Sequence, residues 1–549
     1  MQDRWITDWE INPRFPLFTR ANAGEVLPDP ASPLAWTFLW EGACLPGWRD
    51  AALLDYFANE PHELSETRME AVGSFGGYLY ISGSATRVFA HRAPGLTTEV
   101  IDAVYFGAHP DVPPYVHEDW HDNPGITERM GAWMGGVVMT TDLPELRDDR
   151  DRAAAIRAGR PNLSTWSDGE LVERARSLLP EIRSMFRRHL AVTAGSSIGP
   201  GILGAIAEAV GDPSIALRLI TGVGDIDSAA PSHAMWALSR LDPTSPEYKA
   251  GFRQFLYDFG SRGPNEWDLR SGTWETNPEM ATVLIDSMRG AADADAPEIR
   301  NQRNVVAREQ TTVAVREALA GNPEAAGQFE AGLASAHAHL VGRERTKTTV
   351  IRVIQEVRAA LWELAVRHDY TPSTMCMLLA DEIDAFVNDP TEFRARLASR
   401  EQQYLELFDL DPPFIINGSV KPLSQWPRRS DAAPAVPVAA GDVLTGVPGA
   451  PGVAMGRARV VLHPSDPMGL EAGDVLVAPF TDPAWTPLFV PACAVVVDVG
   501  AQVSHAVIVS RELGIPCAIS VLDATRRIPD GAMIAVDGSA GTVTIIDLP

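Results

Sequence analysis

Residues 427–442, PRRSDAAPAVPVAAGD, combine proline, alanine and small polar residues with no apolar period, and they separate two stretches written in different patterns. Before them, over residues 150–410, apolar residues recur at three- and four-residue spacing, as in LVERARSLLPEIRSMFRRHLAV and TTVIRVIQEVRAALWELAVRH, the period of packed helices. After them, glycine and proline punctuate short apolar runs: Ala458–Leu462, Asp474–Ala478, Ala494–Val499, Cys517–Val521, Met533–Val536 and Thr542–Ile546. At 549 residues the chain is also too long for one core. The expected fold is multidomain: a large, mainly α-helical region over 1–426, an extended connector over 427–442, and a compact α/β domain over 443–549. The first 130 residues are turn-rich, with runs such as Gly77–Ile81 that suit short strands between loops.

The formal net charge of −26 argues against a nucleic-acid partner, because neutralising phosphates needs a surplus of lysine and arginine. The start, MQDRWITDWEINPRF, has no basic segment followed by an apolar one, and no run of about 20 apolar residues stands out, so a cytoplasmic protein without a membrane partner is expected. Cys44, Cys376, Cys493 and Cys517 are widely spaced and read as reduced, mostly buried thiols.

The run Ala494–Val499 leads through Gly500–Val503 to Ser504 and His505. Ser504 is a good helix N-cap and Gly514 followed by Pro516 a good stop, which puts His505 in the first turn of a helix. Free backbone N–H groups and the helix dipole favour a phosphate there, and the same dipole disfavours imidazolium, leaving a ring nitrogen able to attack phosphorus. Taken alone, such a histidine more often caps or packs.

The surroundings change that balance. Leu444–Gly452, Gly473–Ala478, Thr481–Phe489, the SHAVIVSRELGIP turn and Val536–Gly538 occur in order over the last 105 or so residues. Together they resemble the phosphohistidine (swivelling) domain of phosphoenolpyruvate synthase, pyruvate phosphate dikinase and rifampin phosphotransferase. The resemblance implies that His505 is phosphorylated, with Ser504 and Arg511 in support. Many relatives have threonine two residues before the histidine, where this chain has Val503. The pair Arg511 and Glu512 is often only a solvated charge couple.

The large region before the connector has no GxxxxGK[ST] motif, and its glycine clusters at 73–77 and 195–201 lack basic residues and read as turns. It resembles instead the acceptor-binding domain of rifampin phosphotransferase and its kin, first over Thr19–Pro28, which contains Arg20, and Ser32–Trp36. The likeness resumes over Phe255–Leu269, where relatives read Gly-His-Arg and this chain has Ser261 before Arg262, with Glu266 beyond. A third stretch, Gly342–Lys347, places Arg343 and Lys347 four apart on one helix face, as stabilising a phosphoryl group requires. A solvated basic face would look the same. Glu266 or Glu344 would orient the acceptor or take its proton.

His109, His117 and His121, with Glu118 and Asp119, have His-x3-His spacing only for the last pair and prolines between, so a polar loop is expected and no metal site. Trp120, Trp133, Trp236, Trp267 and Trp274 would line an apolar pocket or simply pack in cores.

By resemblance, ATP and Mg2+ would be bound by a separate ATP-grasp subunit of the PEP/pyruvate-binding type, with no cofactor on this chain. Relatives with this layout include the histidine-bearing subunits of phenylphosphate and 4-methylphenylphosphate synthase, and the resemblance implies a phenol or another small apolar alcohol as acceptor. An antibiotic hydroxyl as acceptor, or a phosphocarrier with no acceptor of its own, are the alternatives. Transfer to pyruvate is disfavoured, since no pyruvate-binding barrel is recognised.

Overall fold

The computed structural model describes residues 9–549 except 66–68, 107–108, 110, 225–226, 228, 432–437, 465–468 and 501–503. The ends of the helical region meet in one small antiparallel sheet. Strands β1 (Leu17–Thr19), β2 (Val72–Phe75), β3 (Tyr78–Ser82) and β4 (Ile415–Asn417) run in the order β2-β3-β1-β4, with Phe18 opposite Ile416. Segments about four hundred residues apart are thereby sewn together.

The expectation of strands between loops in the first 130 residues is only partly met. Besides β2 and β3, the chain forms helices at Leu45–Leu54, Gly83–Arg92 and Pro124–Met139, and a wide turn-by-turn winding over Ala35–Cys44. Trp36, Leu39, Trp40 and Ala43 are buried there at helical spacing, a period hidden by the surrounding glycines and prolines.

Five helices position the site: α1 (Leu179–Gly195), α2 (Pro246–Phe259), α3 (Pro297–Ala318), α4 (Pro323–Arg367) and α5 (His505–Leu513). The 45-residue α4 starts where Asn322 accepts the Ala325 N–H, with Pro323 at its first position, and ends with Arg367 in its last turn. From Val350 to Ala365 it is enclosed almost all round. Its buried charge is matched: Glu356, at 0% exposure, accepts from Arg160 at 2.6 and 2.8 Å and from Arg174 at 3.1 Å, while Glu275 accepts from Arg157 and Arg160.

Within Asp168–Ala209 one helical window is apolar enough by length and composition to cross a membrane, a run the sequence reading passed over; its Leu203, Ile206 and Ala207 pack into the helical core.

The C-terminal sheet has eight strands: β5 (Val443–Thr445), β6 (Val447–Ala450), β7 (Val453–Val460), β8 (Val475–Ala478), β9 (Ala494–Val497), β10 (Cys517–Ile519), β11 (Met533–Asp537) and β12 (Thr542–Asp547). Their order is β5-β12-β11-β7-β8-β9-β10-β6, with β7 to β10 parallel and the flanks antiparallel. The multidomain fold with a helical region and an α/β domain is as the patterns require. Differences lie at the edges: β7 starts five residues before the expected run, and β5 and β6 are extra, their polar and glycine positions masking any alternation.

Period-two alternation divides the central strands between two cores. Val475, Val477, Ala494 and Val496 face one side. Leu476, Ala478, Val495 and Val497 face the other, with α5 and with Phe255, Trp274, Leu284 and Ile285 of the helical region. The α/β domain is thus docked through the face that carries α5. Of the expected connector, Ser430 bonds the Asp409 carboxylate through both its N–H and its hydroxyl, while 432–437 lie outside the described residues.

Candidate functional site

His505 opens α5. Ser504 is in extended backbone (φ −70°, ψ 161°) and its carbonyl accepts the Ile508 N–H at 3.0 Å, so the helix starts where the sequence places it. Gly514, at φ +64°, closes it in the left-handed conformation that glycine adopts without strain. The expected side-chain cap is not made. Ser504 Oγ is buried and has no hydrogen-bond partner among the described residues. Val503, the departure from the relatives' threonine, lies outside the described residues.

Two threonines from the β8–β9 connection hold the imidazole. Thr486 Oγ1 is 2.9 Å from Nε2 and Thr481 Oγ1 is 3.1 Å from Nδ1, with Phe489 edge-on to the ring. A neutral imidazole has one N–H and one lone pair, and a hydroxyl can serve either. Burial lowers the pKa of His505 well below its ordinary value, and the charges of Lys347 and Arg262 push it further down. The resting ring is therefore uncharged, the state in which an imidazole can act as a nucleophile.

Lys347 and Arg262 belong to the helical region. Arg262 Nε donates to Glu266 Oε2 at 2.8 Å and Nη1 to Thr348 Oγ1 at 2.8 Å, while Lys347 Nζ lies 3.8 Å from Glu266 Oε1. One carboxylate between two cations leaves a net positive charge beside the histidine. Arg262 Nη2 is buried with no hydrogen-bond partner among the described residues, and unsatisfied buried donors of this kind are uncommon in native folds. The turn bearing Glu266 is fixed from α4 by Arg358, which donates to the carbonyls of Glu266 and Asp268 at 2.9 and 2.8 Å. Asp268 in turn accepts both the N–H and the hydroxyl of Ser32, joining two of the stretches singled out in the sequence.

Asp482 ties the two parts together. Its Oδ1 accepts the Ala484 N–H within the loop and its Oδ2 the Asn265 N–H across the interface, and burial raises its pKa to about 7. On the far side of α5, Asn304 Nδ2 donates to the carbonyls of Arg511 and Glu512, and Glu512 accepts the Gly222 N–H. Arg511 and Glu512 are not a solvated couple: Glu512 is buried and Arg511 half-buried, and burial raises the Glu512 pKa to about 7.

The structure therefore brings His505, Arg262, Glu266 and Lys347 into one cluster. Arg343 sits one turn before Lys347; its charge acts on Tyr105, His189 and Arg511. Glu344 is buried and its charge acts on Glu512. Arg20 is committed to the N-terminal sheet, donating to the carbonyls of Leu79, Pro28 and Leu27 at 2.6 to 3.2 Å and lying over the rings of Tyr78 and Tyr80. Ser261 is buried beside Arg262.

His189, on α1, went unremarked in the sequence because it lies inside a helical period. Its Nδ1 is 3.0 Å from Thr346 Oγ1, and that hydroxyl's only proton goes to the Arg343 carbonyl at 2.9 Å. The imidazole must then be the donor, which leaves Nε2 with a lone pair. Burial lowers its pKa to about 3, with Arg343 and Lys347 adding to the shift. Trp267 and Phe186 flank it at 6.2 and 5.8 Å, and Trp40 extends this aromatic wall; Trp274 instead fills the core beneath the docked domain.

The site thus joins an uncharged histidine on a small α/β domain to a cation pair on the helical body against which that domain is docked. Comparison with known families finds a match in each of the two parts. Residues 470–541 match the mobile domain of PEP-utilising enzymes, and residues 240–344 match the fourth domain of rifampicin phosphotransferase. The chain carries both domains. Over 98% of its length it is 27% identical to an uncharacterised protein of Mycobacterium tuberculosis, of which it spans 63%. It is 29% identical to the rifampicin phosphotransferase of Streptomyces sviceus over 55% of this chain and 35% of that protein. It is 44% identical to the phosphoenolpyruvate synthase of Aeropyrum pernix over 25% of this chain and 18% of that one.

Proposed function

We propose that the chain is a dikinase-type phosphotransferase in which His505 takes a phosphoryl group originating from ATP and passes it to a hydroxyl of a small apolar acceptor, a phenol or alcohol, held by the helical region. Loading uses ATP and Mg2+ on an ATP-grasp partner. The observation that carries the reading is the His505 ring, held at both nitrogens by Thr481 and Thr486 and kept uncharged beside Arg262 and Lys347.

In the discharge step the acceptor oxygen forms a bond to phosphorus as the N–P bond to His505 breaks and its electron pair returns to the ring. Arg262 and Lys347 balance the charge on the phosphoryl oxygens. Glu266, held between the two cations, orients the hydroxyl or takes its proton. A rifampicin-like antibiotic hydroxyl is the second reading, supported by the match of residues 240–344.

The test is acid-labile phosphate formed on the chain from ATP with an ATP-grasp partner, for wild type and His505→Ala. Label on wild type that a phenol discharges, and none on the variant, is the expected result. Label on His505→Ala would refute the assignment, and label that no phenol, alcohol or rifamycin removes would leave a carrier without an acceptor.

A further inference from the structure

Of the three histidines that cluster in the sequence, His109 lies apart, while His117 and His121 stay neighbours with ring centroids 5.8 Å apart. His109 stacks on Phe414 with ring centroids 5.2 Å apart. His121 is buried, its Nδ1 bonded by the Tyr115 hydroxyl at 2.8 Å and the Glu118 N–H at 3.2 Å. His117 has a second companion. His91, in the last turn of helix Gly83–Arg92, lies with its ring centroid 5.0 Å from that of His117, and both rings reach Asp122. His91 Nε2 is 2.8 Å from Oδ1 and His117 Nε2 is 3.2 Å from Oδ2. The three ligand atoms lie within 4.8 Å of one another.

We propose that His91, His117 and Asp122 form a binding site for one divalent transition-metal ion of the Zn2+ class. Two imidazole nitrogens and a carboxylate oxygen suit Zn2+, Co2+, Ni2+ or Cu2+, whereas Mg2+ and Ca2+ take all-oxygen sets. Without metal, each of the two contacts to Asp122 needs a proton on its imidazole Nε2. A dication takes the place of both N–H groups, each ring turning to its Nδ1–H tautomer so that Nε2 offers its lone pair to the ion. Tetrahedral bonds of about 2.0–2.1 Å put ligand atoms roughly 3.3 Å apart, close to the spacings to Asp122.

The frame is built before any ion arrives. Arg92, next to His91, is fully buried and donates to the carbonyls of His121 and Trp120, both at 2.9 Å, and to both oxygens of Glu63. The turn that ends in Asp122 is thus bolted to the helix that carries His91. The helix C-terminus adds negative potential where the cation would sit. Asp122 and His117 remain 61% and 43% exposed at their side chains, leaving a fourth position to water or an outside ligand. The ion would cross-link residues 26 to 31 apart along the chain, tightening the segment that follows helix Gly83–Arg92. None of this depends on His505.

Metal-free, tag-free protein titrated with Zn2+ by calorimetry, and with Co2+ by visible absorption, should bind one equivalent at this site while Mg2+ does not compete. His117→Ala and Asp122→Asn, both at exposed positions, should weaken Zn2+ by about tenfold or more, with circular dichroism unchanged. His109→Ala should bind like wild type. No saturable Zn2+ binding, or binding that survives both ligand substitutions, would overturn the site.

Discussion

Lys347→Ala should slow discharge of phosphorylated His505 while leaving its loading untouched. Lys347 rides on α4, part of the helical body, whereas Thr481, Thr486 and His505 belong to the docked α/β domain. A charge placed about 4 Å from a phosphoryl oxygen is worth roughly 4 kcal/mol at an effective dielectric constant near 20. Glu266, 3.8 Å from the ammonium, shares that charge, and the side chain is 21% exposed. About 2–3 kcal/mol should remain, equivalent to roughly 30- to 150-fold in rate. The assay is a single-turnover quench: label His505, add acceptor, and follow phosphate leaving the protein, with the loading time course measured separately. Discharge within about twofold of wild type, or loading slowed as much as discharge, would refute the division of labour between travelling and stationary residues.

Glu356→Ala leaves Arg157, Arg160 and Arg174 around an empty position, and breaking such a buried network should cost about 3–5 kcal/mol of stability in chemical denaturation. Gly538→Ala would set a methyl group 1.9 Å from the Ala450 carbonyl oxygen, so β11 and β6 must part; the α/β domain should lose about 1–3 kcal/mol, read by hydrogen exchange of its strands. For His189, the folded-state pKa of about 3 lies below the unfolded value of 6.5. The unfolded chain then binds the extra proton, so this contribution is complete above pH 6.5 and is lost as pH falls toward 3. His189→Gln should flatten the stability slope between those limits by about 1–2 kcal/mol, after allowance for screening at the ring's open edge; a slope identical to wild type would show that the ring titrates normally.

What could be read from the chain alone follows the range of the forces involved. His505, its helix and the Gly514 stop are local events, set by dihedral preference and capping within ten residues, and they stand in the structure where the pattern puts them. The central strands were equally plain, because burial on both faces writes continuous valine and alanine runs. The partners of His505 were harder. Thr481 and Thr486 lie in a quoted motif, yet only the fold shows that a five-residue spacing brackets one ring. Arg262 and Lys347 are 85 residues apart and meet at Glu266, whereas the helix-face argument had paired Lys347 with Arg343. Ser504 had the right residue type for a cap but spends its hydroxyl on no cap bond, and Arg20 is absorbed by backbone carbonyls. His189 left no local signal, since a histidine on a helix says nothing about the hydroxyl that fixes its tautomer.

The unbroken run of α4 has one more consequence. At about 1.5 Å per residue its 45 residues form a rod close to 68 Å long, and Thr346, Lys347, Thr348, Glu356 and Arg358 are marks along it. Each successive residue advances about 100° around such a rod. One residue inserted ahead of Thr346 would therefore swing every mark off its target together, whereas the same insertion in a loop would be absorbed locally. The helix works as a gauge, and the chain should tolerate changes of side chain along its length far better than any change in count.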